Sequence, residues 1–245
     1  MTIAVDQPNY IPWKGYFDLI HDVDLFVFYN DVQYTSRDWR NRNKIITHDG
    51  IKWLTVPVGH STHRLIYEVQ ICDGEWQRKH YDTIRHAYGK APYFKKYKDF
   101  LENVYLERRW TYLHELDRYM TEHIAREFLG IKTKFADSRE YKTRGAKHER
   151  LLNLILDIRG GGTYESGPAA KDYIVRQDYV RNGIKLIWKS YEGYPVYPQF
   201  GDGFTHQVSI LDLLFHVGDE APYYIWGWRE ETGEKSWVED TEITL

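Results

Sequence analysis

The residue types best suited to chemistry are concentrated near the start of the chain, between Asp6 and Phe17. This segment, DQPNYIPWKGYF, follows the β-branched run TIAVD, which predicts a strand, and its two prolines restrict the backbone before a helix that begins near Trp13. Ligands of open α/β sheets bind at the carboxyl ends of strands. We therefore predict Asp6 and Gln7 as catalytic residues. Tyr10 and Trp13 are predicted to bind substrate, with a rigid turn packed by aromatic rings as the alternative.

A second polar group lies at the end of the strand predicted for residues 24 to 32, DLFVFYNDV. Asp31 is a further candidate catalytic carboxylate, and Gln33 is a candidate binding residue. The next polar residues combine a bidentate cation with amide donors, a set suited to phosphate or carboxylate, and they are Asn41, Arg42 and Asn43. The alternative is a solvated turn before a hairpin.

A third candidate site lies at Ser166 and Gly167, where the predicted strand TYES runs into a predicted helix with Pro168 at its first turn. Free amides at a helix start, the helix dipole and the Ser166 hydroxyl together favour a phosphate. We predict that Ser166 and Gly167 bind substrate. A serine cap without any ligand is the alternative.

The elements that must position these residues predict an α/β fold. The segments NKIITH and KWLTVPV each alternate apolar and polar residues, and they lie on either side of the turn residues Asp49 and Gly50. This predicts a hairpin, with RLIYEVQI as a third strand. Residues 76 to about 131 have helical periodicity and predict a helical insertion. The last third alternates strands (KFADS, TYES, IKLIWKSY) with helices (AKHERLLNLILDI, PAAKDYIVRQDYVRN, VSILDLLFHVG). This predicts a mostly parallel, Rossmann-like sheet flanked by helices, with a small antiparallel subsheet. Residues 1–245 are predicted to form one domain, since the Gly160 to Gly162 run is too short to separate two, and SWVEDTEITL is predicted to be peripheral.

Composition narrows the classes of function. The 245 residues have a net charge of -3, which gives no global attraction for nucleic acid. The single cysteine, Cys72, forms no internal disulfide, and no apolar run reaches the roughly 20 residues of a membrane helix, so a cytoplasmic protein is expected. The histidines lack ligand spacing, which argues against a metal site. With 9 Trp and 21 Tyr, the chain has many rings suited to cores and to stacking on sugars.

The residues 7–17, QPNYIPWKGYF, resemble the opening of the WbqC-like protein family. The likeness continues to about residue 218 through NDVQY (30–34), WRNRN (39–43), WLTVPV (53–58), YESGP (164–168) and SILDLLF (209–215). The chain departs from the family at Asp6, where a histidine is expected. The resemblance implies a role among proteins of O-antigen and related surface glycans.

Together these observations predict an enzyme that transfers an acyl or aminoacyl group, such as glycine, to the amine of a nucleotide-linked amino sugar. Ser166 and Gly167 would hold phosphates, and Asp31 or Asp6 would accept the amine proton. The cofactor stays open between ATP and another activated donor, and a nucleotidyltransferase-like fold is an analogy only. The alternative is a non-catalytic protein that binds a sugar conjugate or a partner enzyme. A homo-oligomer is compatible with either.

Overall fold

Strands form a six-stranded sheet and a separate two-stranded sheet in the computed structural model, which describes residues 1–72, 74–158 and 162–239. The strands are β1 (Thr2–Asp6), β2 (Leu25–Phe28), β3 (Arg42–Thr47), β4 (Gly50–Thr55), β5 (Lys134–Asp137), β6 (Thr163–Ser166), β7 (Lys185–Lys189) and β8 (Trp237–Glu239). The large sheet has the order β5-β2-β1-β6-β7-β8, and β3 pairs with β4.

Helices cover the sheet and form the inserted layer. They are α1 (Lys14–His21), α2 (Trp76–Tyr88), α3 (Phe94–Glu102), α4 (Leu113–His123), α5 (Lys147–Asp157), α6 (Arg176–Arg181), α7 (Ile210–Val217) and α8 (Trp228–Thr232). Helices α2, α3 and α4 confirm the helical stretch predicted for residues 76 to 131, and π-helical turns extend α3 and α4. Within the described ranges, no helix combines the length and apolarity that crossing a bilayer requires.

The parallel part of the sheet confirms the predicted fold class. β1 pairs in parallel with β2 on one side and with β6 on the other, while β2 pairs with β5 and β6 with β7. Along the chain, β2 and β5 are therefore added on one side of β1, and β6 and β7 are then added on its other side. The gap between β1 and β6 is the point at which the direction reverses, the usual place for a ligand in such a sheet.

Each face of the sheet has its own hydrophobic core, because successive side chains of a strand point to opposite faces. Ala4 and Phe26 belong to the larger cluster, which they form with the helices of the insertion, α1 and α7. Ile3 and Val27 belong to the smaller cluster on the other face, against α5 and the segment around Tyr179. The polar residues at strand ends are thus held between two packed layers.

A buried ionic cluster fixes α1 against the sheet. Asp18 is fully buried, pairs with Arg229 of α8, and lies 3.0 Å from the ammonium of Lys189 at the end of β7. The hydroxyl of Tyr194 also donates to Asp18. These contacts hold the helix that follows the Asp6–Trp13 segment in one position, since breaking a buried pair leaves an uncompensated charge.

Two predicted elements are wrong. The segment RLIYEVQI forms a 3-10 turn at Ile66–Glu68, because the Glu68 carboxylate accepts the backbone N–H of Leu65 and closes the turn. The helix predicted for residues 168 to 182 is a 3-10 turn, Pro168–Asp172, followed by the short α6. Extended dihedral angles at Val175 separate the two.

The end of the chain contributes an edge strand. Trp237–Glu239, within the segment predicted to be peripheral, form β8 and pair antiparallel with β7. The remaining residues, 240–245, lie outside the described residues, as do Gly160 and Gly161 of the glycine run.

Candidate functional site

The site residues predicted at the ends of β1 and β6 lie next to each other at the reversal point of the sheet. Ile3 is paired with Tyr164, so the parallel register brings Asp6 level with the Ser166–Gly167 end of β6. Both strands then leave the sheet into loops. We call the space at these two strand ends the crevice. Ala4 and Tyr164 belong to the cores on opposite faces, so the side chains of Asp6 and Ser166, two residues further along each strand, point to opposite faces of the sheet.

Asp6 carries a carboxyl with a raised pKa. Burial raises the pKa of its carboxyl to about 6, against the opposing effects of the hydrogen bond that the Gln7 N–H donates at 2.7 Å and of the Arg40 charge. Asp6 makes no salt bridge with any residue that the structure describes, so its charge is not fixed by a counter-ion. A carboxylate that titrates close to neutral pH can both accept and release a proton.

The charge of Asp6 acts on four tyrosines. Burial raises the pKa values of their hydroxyls, and the negative charge of Asp6 raises them further; these residues are Tyr16, Tyr164, Tyr173 and Tyr191. Their hydroxyls therefore stay protonated, and two of them already donate hydrogen bonds, Tyr16 to the Gln7 carbonyl and Tyr164 to the Ser166 hydroxyl. The hydroxyls of Tyr173 and Tyr191 are the ones that can donate to a bound ligand.

An aromatic wall, which we define as Trp13 and Tyr191, stands on the β6–β7 side of the crevice. Their rings meet edge to face with centroids 5.1 Å apart. A Cβ atom on Gly167 would lie 3.5 Å from the Tyr191 hydroxyl, and one on Gly15 would collide with the Trp13 indole. The two glycines therefore leave room for the wall. Tyr191 was not predicted, although it lies two residues after the end of β7, the strand beside β6.

Two predicted binding residues build the loop after β1 instead of facing the crevice. Tyr10 is fully buried, and its hydroxyl lies 2.8 Å from His80 Nδ1 and 2.5 Å from the Tyr105 hydroxyl. The Asn43 amide donates to the carbonyls of Tyr10 and Ile11 at 3.1 and 2.9 Å. Ile11 has a φ of 36°, a left-handed value that a non-glycine residue adopts only when its surroundings hold it there.

Asp31 already has partners. It forms an ion pair with Arg150, and its Oδ1 accepts the Ser138 hydroxyl at 2.6 Å. It lies on the β2–β5 side of the sheet edge. Gln33 is exposed and donates to the Thr62 carbonyl at 3.3 Å. Of the two carboxylates left open as the base, the geometry favours Asp6.

The remaining predicted residues lie on the β3–β4 hairpin and at the end of β6. Asn41 is buried and donates to the Val56 carbonyl at 2.9 Å. Arg42 lies on the hairpin, where its guanidinium stacks 4.3 Å from the Trp53 ring centre. Ser166 accepts the Tyr164 hydroxyl at 3.3 Å. The predicted helix dipole at Gly167 is absent, because the turn that starts there has only five residues.

Lys14, which the sequence did not single out, has an unusual setting beside Trp13. Its side chain is buried, and its ammonium donates to the Tyr224 carbonyl at 3.0 Å and lies 4.5 Å from the Tyr194 ring centre. Burial lowers the pKa of this amine to about 7, while the Asp18 charge opposes the effect. Its partners are about 180 and 210 residues away in sequence, so no local pattern could reveal them.

Comparisons with known proteins support the resemblance seen in the sequence. The model of the WbqC-like protein family matches residues 7–224, which include the loop after β1, the aromatic wall and the β3–β4 hairpin. The chain belongs to the WbqC-like protein family. Its similarity also extends to a relative of nearly the same length. Over 225 residues it is 43% identical to the uncharacterized protein Rv1507c of Mycobacterium tuberculosis. The aligned region covers 91% of this chain and 96% of that protein. No solved structure matches the chain.

Proposed function

We propose that this WbqC-like protein is an enzyme of surface-polysaccharide biosynthesis, of the O-antigen type, that transfers an acyl or aminoacyl group such as glycine to the amine of a nucleotide-linked amino sugar. The observation that carries the proposal is the carboxyl of Asp6, which has a raised pKa and no salt bridge among the described residues and lies at the reversal point of a parallel sheet. Beside it stands the aromatic wall of Trp13 and Tyr191, a surface on which a sugar ring can pack.

The chemistry requires a free amine. A sugar ammonium has no lone pair, so a base must remove its proton before or during attack. The Asp6 carboxylate accepts that proton, and the nitrogen lone pair forms a bond to the carbonyl carbon of an activated acyl donor. The nitrogen, which is positively charged after the attack, loses a second proton to solvent as the bond between the carbonyl carbon and the leaving group breaks, and the leaving group departs with the electron pair. The products are an amide and the released donor fragment, which takes up the proton held by Asp6 directly or through solvent.

The residues around Asp6 position the reactants for this step. Tyrosine hydroxyls that remain protonated can bind the oxygen atoms of the sugar or the donor carbonyl. The loop held by Tyr10 and Asn43 fixes Asp6 relative to Trp13, which saves part of the entropy of bringing the groups together. The activated donor, ATP-derived or a thioester, is the second substrate in this proposal.

A non-catalytic binding protein is the second candidate. Trp39 in the loop before β3 and Trp53 on β4 expose two indole rings side by side, as a protein that recognises a sugar conjugate or a partner enzyme would. Such a protein would saturate with its ligand without changing it. The two candidates therefore differ in one measurable quantity, the formation of product.

The test is a mass-spectrometric search for the amide. UDP-linked amino sugars are incubated with the protein and with glycine plus ATP, or with acyl-thioester donors. The wild type is expected to give the mass of the acylated sugar nucleotide, and Asp6→Asn to reduce turnover at least 100-fold while binding is retained. Asp49→Asn, at the exposed hairpin turn, is the control and should match the wild type. Full turnover by Asp6→Asn would contradict the role of Asp6, and saturable binding with no product from any donor would favour the binding protein.

A further inference from the structure

We infer that the outer face of the β3–β4 hairpin binds the nucleoside diphosphate part of the substrate, with the base stacked on Trp39 and the phosphates held by Arg42 and Lys44. This inference rests on the proposed function for the identity of the substrate. We call the face formed by Trp39, Trp53, Arg42 and Lys44 the hairpin platform.

The platform exposes an unusual amount of aromatic surface. Trp39 and Trp53 are 43% and 40% exposed, and their ring centroids lie 5.4 Å apart at an interplanar angle of 34°. Each indole would gain free energy by covering its exposed ring with another planar group, because a base stacks favourably on an aromatic side chain. Two adjacent exposed indoles thus form a ready surface for a planar ring.

Two cations flank these rings without a compensating anion. The Arg42 guanidinium is 4.3 Å from the Trp53 ring centre, and the Lys44 ammonium is 5.2 Å from Trp53 and 5.6 Å from Trp39. Lys44 is paired directly with Trp53 across the hairpin, so the two side chains share its outer face. In the part of the chain that the structure describes, neither cation lies within salt-bridge distance of a carboxylate. The platform is therefore complementary to a planar ring that carries negative charge.

The platform adjoins the loop that leads from Asp6. The Trp39 carbonyl accepts the N–H of Tyr10 at 3.0 Å, which joins the two segments directly. The next residue, Arg40, pairs with Asp38 and lowers the pKa of Asp6 by its charge, against the larger effect of burial. The backbone at Trp39 thus joins the platform to the segment between Asp6 and Trp13. In the inferred complex, the other end of a ligand bound on the platform points to the crevice.

Charge and shape together select the ligand class. A neutral sugar would use the rings but leave both cations unpaired, and inorganic phosphate would use the cations but leave the rings exposed. A nucleoside diphosphate satisfies both. When it is linked to an amino sugar, the base and phosphates can occupy the platform while the amine reaches Asp6.

Binding of four probes tests the inference: UDP, uridine, glucosamine 1-phosphate and a UDP-linked amino sugar, each titrated by calorimetry. Trp39→Ala and Lys44→Gln are expected to weaken UDP binding about tenfold or more, and added salt should weaken wild-type binding more than Lys44→Gln binding. Lys52→Gln, a neighbouring exposed cation whose cross-strand partner is the buried Ile45, is the matched control and should bind like the wild type. Trp39→Phe should recover most of the lost affinity because it restores a ring.

The outcomes separate the platform from the proposed reaction. Unchanged UDP affinity in Trp39→Ala and Lys44→Gln would overturn the platform, even if Asp6-dependent turnover is observed. Glucosamine 1-phosphate that binds as tightly as UDP and loses as much affinity in Trp39→Ala would also overturn it, since the base would then contribute nothing. Platform-dependent binding of UDP without any acyl transfer would support the platform and contradict the reaction.

Discussion

A buried carboxyl on β6 gives the sharpest prediction about stability. Glu165 is 1% exposed, and its Oε1 has no hydrogen-bond partner among the described residues. Burial raises the pKa of this carboxyl from 4.5 to about 8, with Lys189 opposing the shift and Asp22 adding to it. The folded protein therefore holds a proton at neutral pH that the unfolded chain releases.

The sign of the pH dependence follows from this difference. Between pH 4.5 and about 8 the native state binds more protons at Glu165 than the unfolded state, so the free energy of unfolding falls as pH rises. A difference of one bound proton changes the free energy of unfolding by about 1.4 kcal/mol per pH unit. From pH 5 to pH 7.5, Glu165 therefore lowers the free energy of unfolding by about 3 kcal/mol. Glu165→Gln cannot ionise and escapes the loss, so relative to the wild type it should gain about 3 kcal/mol over this interval.

Urea denaturation at several pH values between 5 and 8 measures the effect. Each free energy of unfolding is compared with that of the wild type at the same pH, which cancels the contributions of other groups. Glu231→Gln, which removes an exposed carboxyl of α8, should run parallel to the wild type. Parallel curves for Glu165→Gln and the wild type would refute the reasoning, because Glu165 would then be ionised in the folded protein.

Three further substitutions test the packing of the site. Gly15→Ala should displace the Trp13 indole, lower the free energy of unfolding by about 1–3 kcal/mol and weaken binding of the sugar nucleotide, as followed by tryptophan fluorescence. Asp18→Ala leaves Arg229 buried without its partner and should lower the free energy of unfolding by about 3–5 kcal/mol in urea denaturation. Tyr10→Phe removes a buried hydroxyl between two partners and should cost about 1–3 kcal/mol by the same measurement.

Matched controls accompany these variants. Gly74→Ala places its Cβ in open space and should leave fluorescence and stability unchanged. Asp219→Ala and Tyr223→Phe alter exposed side chains and should change the free energy of unfolding by no more than about 0.5 kcal/mol. A Gly15→Ala protein with wild-type fluorescence, or an Asp18→Ala or Tyr10→Phe protein as stable as its control, would contradict the packing described here.

The sequence predicts the elements around Asp6 well, because the patterns there are local. The run TIAVD and the strand TYES alternate between the two faces of the sheet, and β1 and β6 form as expected. The order of the strands makes Asp6 and Ser166 neighbours, and strand–helix alternation indicates such a parallel sheet. The carboxyl ends of these strands are then the natural position for a site.

What the sequence does not predict depends on distant contacts. The helix expected for residues 168 to 182 is interrupted at Val175, whose extended dihedral angles no local pattern of residues indicates. The side chain of Tyr10 has the residue type of a ligand contact, but its hydroxyl meets His80 and Tyr105 inside the insertion. Lys14 likewise acquires its character only when Tyr224 packs beside it.

The most direct measurement is a crystal structure of the protein with a UDP-linked amino sugar bound. The predicted result has the sugar amine about 2.6–3.2 Å from the Asp6 carboxylate, the range of a proton-transfer hydrogen bond, with the sugar ring against Trp13. An amine bound beside Asp31 instead, or a sugar nucleotide bound away from the ends of β1 and β6, would contradict it.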